Sequence, residues 1–138
     1  MNSKKVAEIL DISVDTLRYY ERVGVIPPVV RDENGYRNYQ DRDLNWIFLA
    51  KSLRNAGMSI ESMIEFATLA QTKGDVSVAQ KEVLHEQLEQ LNQKFAELEK
   101  TRKLLQYKID TYDDHLAKFK SGAMADQMDQ LWKMSQFQ

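Results

Sequence analysis

Polar and apolar residues alternate with a helical period over most of the chain, and the breaks in that period divide it. Near the start, Val6, Ala7, Ile9 and Leu10 mark a short amphipathic helix that Ser3 is placed to cap. Asp11, Ile12 and Ser13 interrupt the pattern. Ser13 then caps a second helix, with Asp15 in the first turn where a carboxylate suits the helix dipole. That helix runs to about Arg22; Gly24 suits its C-terminus and Pro27-Pro28 bars continuation. Val14 and Leu17, three apart, face the first helix, so the pair reads as a helix-turn-helix. On this register the stretch LRYYER turns Arg18, Tyr19 and Arg22 outward at least in part, and leaves open which of Tyr19 and Tyr20 packs inward.

The period then changes. Val29-Val30 and Tyr36 to Tyr39 are strand-like, and Asn34-Gly35 between them predicts a type I′ turn, hence a two-stranded ribbon carrying Arg31, Arg37 and Tyr39. A lone hairpin is marginal in water, so it must pack beside the helices as a wing. Residues 41–54 return to a helical stripe through Leu44, Ile47, Phe48 and the stem of Lys51, with Trp46 and Leu53 nearby. Asn55-Ala56-Gly57 ends it, and Ser59 opens a fourth helix in which SIES forms part of a capping box. Its buried face is Met58, Ile60, Met63, Ile64 and Phe66-Ala67, and Gly74-Asp75 marks a break.

From about Ser77 the spacing becomes that of a heptad. Leu84, Leu88, Leu91, Phe95, Leu98, Arg102, Leu105, Ile109, Tyr112, Leu116 and Phe119 follow each other at intervals of 4 and 3 without slippage. A helix over this span is roughly 50 Å long. It needs another long helix to cover its stripe, and the simplest source is a second copy of the chain. Arg102 is the polar seam position, costing stability while favouring one register. In the tail, Met124, Met128, Leu131 and Trp132 have the spacing of a short helix that packs on the dimer.

Composition narrows the chemistry. The 138 residues carry a net charge of −2, and residues 1–57 hold 9 Lys and Arg against 8 Asp and Glu, so any nucleic-acid site must be a local patch. There is no cysteine, which excludes disulfides, thiolate metal sites and cysteine nucleophiles and suits a cytoplasmic protein. The start MNSKKVAEIL lacks the long apolar core of a signal peptide, and no apolar run reaches the ~20 residues that span a bilayer. The two histidines, His85 and His115, sit among scattered carboxylates and read as charged surface; no metal and no cofactor is expected. With no phosphate loop and no nucleophile beside a base, an enzyme is not expected.

What remains is recognition. A helix-turn-helix sets its second helix in the major groove, where Arg18 can meet a guanine edge or a phosphate, tyrosine hydroxyls can meet phosphates and Arg22 can meet backbone charge. Arg37 on the wing would reach the neighbouring backbone. The competing reading is an adaptor whose working surface is the coiled coil, without sequence-specific DNA binding.

Several of these residues carry a family pattern. The run TLRYYE, the GVIPP after it, the NGYRNY of the wing and the acidic start of the next helix closely resemble the N-terminal domain of MerR-type transcription regulators. The resemblance implies an all-α fold with a small β-hairpin wing. A winged helix-turn-helix domain would occupy 1–73, a dimerising coiled-coil helix 77–120 and a short tail 121–138. It implies a homodimer on an inverted-repeat promoter site, bending and untwisting an overlong spacer so that RNA polymerase can use it. By matching position it makes Arg18, Tyr19, Tyr20, Arg37 and Tyr39 DNA contacts, and Ser13 and Thr16 phosphate ligands. The segment DLNWIFLAKSLRNAGMSIESM looks most like the branch answering to reactive aldehydes and thiol stress. That branch often has a cysteine where this chain has Ser52, and a hydroxyl cannot replace a thiolate as an electrophile sensor.

Overall fold

The computed structural model describes residues 1–122 and 130–138, which form two compact units, Met1–Leu91 and Asn92–Gln138. Among the described residues five α-helices succeed one another: α1 Ser3–Leu10, α2 Val14–Val23, α3 Asp41–Asn55, α4 Glu61–Ala70 and α5 Ser77–Lys120. Residues 123–129, which include Met124 and Met128, lie outside the described residues. The tail residues Leu131 and Trp132 belong to a 3-10 turn, Leu131–Lys133, followed by another, Ser135–Phe137, rather than to an α-helix.

Local chemistry accounts for the helix ends. Asn2, not Ser3, caps α1: Asn2 is extended and its Oδ1 accepts from the Lys5 N–H at 2.9 Å, whereas Ser3 is already helical. At the far end Asp11 takes a left-handed conformation, and Lys51 from α3 donates to the Leu10 and Asp11 carbonyls at 2.6 and 3.1 Å. A cation there satisfies orphan carbonyls and suits the dipole. Ser13 caps α2 as expected, accepting from the Thr16 N–H at 3.0 Å. Gly24 closes α2 with a φ of 85°, a conformation that a side chain would strain. The opening of α4 departs from expectation: Ile60, not Ser59, is its N-cap residue, and the Glu61 carboxyl stands in the first turn. The Glu61 backbone N–H and then Ser59 hold that carboxyl below its usual range.

The core of the first unit gathers Val6, Leu17, Tyr20, Ile26, Tyr39, Ile47 and Met63. Trp46 and Phe66, with rings 5.0 Å apart, join α3 to α4. Two expected core positions are solvent-facing. Ile9 is half exposed and Phe48 more so, because the buried arc of α3 runs through Asp43, Ile47 and Ala50 and Phe48 lies about 100° round from Ile47. From α5, Val83 and Gln87 are buried in this unit, and the Gln87 amide donates to the Ser62 hydroxyl at 2.6 Å.

The wing differs from the predicted ribbon. Among the described residues there is no strand, only an antiparallel bridge between Arg31 and Arg37. Nor is the turn type I′, since Gly35 has positive φ and Asn34 does not. The Gly35 N–H closes a turn onto the Asp32 carbonyl at 3.0 Å, and the Asp32 side chain accepts from the Asn34 and Tyr36 N–H groups. That local carboxylate holds a three-residue loop, with glycine in its left-handed position, in place of the two-residue turn.

Tyr39 corrects a second expectation for the wing: it is 1% exposed, in the core, and among the described residues its hydroxyl has no hydrogen-bond partner. A buried phenol left so gains nothing from its oxygen. Tyr39→Phe is therefore expected to leave unfolding free energy unchanged or raise it by up to about 1 kcal/mol, as urea titration would measure. A clear loss would mean that the hydroxyl is bonded in solution.

In the second unit, Phe137 packs edge-on against Tyr107 with centroids 5.5 Å apart, and the Gln138 amide donates to the Trp132 carbonyl at 2.9 Å. Arg102 pairs through two nitrogens with the Glu99 carboxylate of its own helix. The seam side chains Leu84, Leu88, Leu91, Phe95, Leu98, Leu105, Ile109, Tyr112, Leu116 and Phe119 are all exposed in the single chain.

Candidate nucleic-acid interface

The outer face of α2 is built by its register. Leu17 and Tyr20 turn into the core, so Arg18, Tyr19 and Arg22 turn out. The ambiguity within the tyrosine pair is thus resolved: Tyr20 is 5% exposed and Tyr19 is 38% exposed. Tyr20 is an anchor of the helix and not a surface contact. The Arg22 guanidinium stands 5.6 Å from the Tyr19 ring centroid, a cation–π contact that holds both outward. Arg18 lies 4.0 Å from the Asp15 carboxylate in a solvent-exposed and hence weak pair. These four and Thr16 surround one shallow depression. Ser13 and Thr16 share a hydroxyl–hydroxyl hydrogen bond of 2.7 Å at the helix start.

Burial pushes the Tyr20 phenol above its ordinary pKa, with the Arg54 charge offsetting part of the effect. The folded state then holds the proton longer than the unfolded one. Stability contributed by this group is full below about pH 10 and is lost as pH rises past the raised value. Urea midpoints measured through that alkaline range are expected to fall less steeply for Tyr20→Phe.

A second cleft adjoins the first, with Arg18 on its wall. It is lined also by Lys4 of α1 and by Arg31, Tyr36, Arg37 and Asn38 of the wing. Arg31 is fixed by a 2.7 Å bond from Nη1 to the Gly35 carbonyl. Arg37 is fixed by Glu21: its Nε donates to Glu21 Oε1 at 3.0 Å, while Oε2 accepts from the Val29 N–H at 2.8 Å. One largely buried carboxylate of α2 therefore sets where the wing stands beside that helix. Removing it strands an N–H and a guanidinium, so Glu21→Ala is expected to cost about 1–3 kcal/mol in urea unfolding and to speed amide exchange at Val29.

Of the sequence-predicted contacts, Arg18, Tyr19, Arg22 and Arg37 thus gather on one side of the first unit with Ser13 and Thr16, while Tyr20 and Tyr39 are interior. Lys4, Arg31 and Glu21 were not predicted. The charges of Arg31 and Glu21 are visible beside the motif residues, but no sequence pattern brings Lys4 to the wing; only the packing of α1 does.

Residues 1–68 match the family model described as MerR HTH family regulatory protein, and residues 44–107 match the one described as MerR, DNA binding. The HTH-type transcriptional regulator AdhR of Bacillus subtilis is 48% identical over 92 residues, which cover 66% of this chain and 65%, just under two thirds, of that protein. A MerR family transcriptional regulator of Listeria monocytogenes superposes with a TM-score of 0.79 at 36% identity, covering 88% of this chain and 92% of that one. HiNmlR, described as a MerR family regulator lacking the sensor domain and bound to promoter DNA, superposes with a TM-score of 0.73 at 34% identity, covering 84% and 92%.

Proposed function

This chain belongs to the MerR family, and we propose on that premise that it is a DNA-binding transcription regulator working as a homodimer. The observation that carries the reading is the cationic face of α2, with Arg18, Tyr19 and Arg22 turned outward beside Arg31, Arg37 and Lys4. Arginines and lysines fix a protein on phosphates, and the second helix of a helix-turn-helix meets base edges. The chain acts by binding and not by catalysis, and it works in the cytoplasm. Among the described residues, no helix is long and apolar enough to cross a membrane.

Residues 1–73 form the DNA-binding domain, 77–120 the dimerisation helix and 121–138 the tail. The exposed apolar seam of α5 supports pairing with a second copy, because a stripe of leucines and aromatics facing water along one helix is what a coiled coil covers. A symmetric dimer then reads an inverted repeat. Bending the intervening promoter so that RNA polymerase can engage it is repaid by the added backbone contacts. Ser52 is exposed, and its hydroxyl donates to the Phe48 carbonyl at 2.8 Å. With no cysteine in the chain, Ser52 offers no thiolate for redox or electrophile sensing.

Selection from a pool of random duplexes tests the reading, followed by titration of the enriched site at stepped salt. An inverted repeat should emerge, and binding should weaken steeply with salt, by a slope of about −0.9 per phosphate neutralised. A pool that stays random after selection would sink the proposal and favour the adaptor reading.

A further inference from the structure

The depression on the outer face of α2 is bordered by a group that works against binding DNA. Asp15 lies in the first turn of α2, its side chain is 96% exposed, and it borders the same depression as Arg18, Tyr19 and Arg22. Its ion pair among the described residues is the 4.0 Å contact with Arg18, too long and too exposed to neutralise it. A carboxylate in a first turn suits the helix dipole, but on a surface that approaches phosphates it repels. That repulsion is offset where the carboxylate meets a hydrogen-bond donor on a base.

Two bases offer a donor in the major groove, cytosine at N4 and adenine at N6. An ionised carboxylate has acceptors only. It is repelled by the N7 acceptor beside the adenine donor, and by the O6, N7 and O4 acceptors of guanine and thymine. Cytosine alone presents its donor without an acceptor on the same base edge of the groove. Arg18, one turn along, has the complementary chemistry for guanine O6 and N7. Resting on the regulator reading above, we propose that Asp15 determines specificity by selecting cytosine at one position in each half-site, next to the base that Arg18 meets.

The test is the same random-duplex selection, run in parallel with the wild type, Asp15→Ala and Asp15→Asn, with competition titrations on the enriched site. The wild type should enrich cytosine at one position of each half-site, and thymine there should weaken binding roughly tenfold. Asp15→Ala should lose that preference alone, keep the rest of the repeat, and bind random duplex more tightly because a negative charge has gone. Asp15→Asn should shift the position toward adenine, whose N6 and N7 a carboxamide can meet together. Because Asp15 is exposed, both variants should fold, which circular dichroism melts would verify. If Asp15→Ala selects the same base with the same preference, or loses guanine instead of cytosine, the assignment is overturned while the regulator reading stands. If the wild type selects no sequence, both fall.

Discussion

Leu98→Asp combined with Leu105→Asp is expected to leave a folded monomer and to lower affinity for the inverted repeat by roughly 10²- to 10⁴-fold, the avidity lost when two linked modules separate. Both leucines are seam positions of α5 and both are solvent-facing in the single chain, so the substitutions remove nothing from the core of either unit. In a coiled coil the same positions are covered. A dimer would have to bury four carboxylates, each at a desolvation cost of several kcal/mol, against one seam cation per helix, Arg102, which already pairs with Glu99. Sedimentation equilibrium reads the mass and a titration on the selected site reads the affinity. A dimer that persists, or a monomer that binds the full repeat as tightly as wild type, would remove α5 from the account of recognition.

Arg18→Ala is expected to weaken binding to the selected site by about 30- to 10⁴-fold with no change in melting temperature. A bidentate arginine contact to guanine is worth about 1–3 kcal/mol, and a symmetric dimer loses two of them. The absence of a stability effect follows from the structure, where Arg18 is on the surface and its ion pair with Asp15 is 4.0 Å long. The pattern of loss distinguishes two roles. A base contact loses preference at one position of each half-site, whereas a phosphate contact weakens all sequences alike and lowers the salt slope by about one unit per arginine. Unchanged tight binding would remove Arg18 from the DNA contacts.

These predictions rest on features of different visibility in the sequence. The helices were legible because a period of apolar residues and a capping group act within a few residues of each other; Ser13, Gly24 and the unbroken heptad are of this kind. Asn34-Gly35 taken alone specifies a two-residue turn, and the wing departs from it because of a neighbouring side chain. Asp32 lies two residues earlier, and its carboxylate accepts the Asn34 and Tyr36 N–H groups and selects a longer loop. The N-cap of α1 differs by one residue for a similar reason, since Asn2 and Ser3 compete for the same orphan N–H groups.

The order of the helices, the heptad seam that faces water in one chain and the exposure of Arg18 are all written in local residue patterns. Each follows from spacing along a single helix, where positions 100° apart have fixed relations. The fate of Tyr20 and Tyr39 depends instead on packing between elements. Both carry an apolar ring and a polar tip, so either environment suits them, and it is the packing of α1, α3 and the wing that takes both rings into the core. The same packing brings Arg37 to Glu21, 16 residues away, and Lys4 to the wing. Contacts between elements depend on how helices cross, which no local spacing encodes. For that reason the charged surface beside α2 could be named residue by residue only after the fold was known.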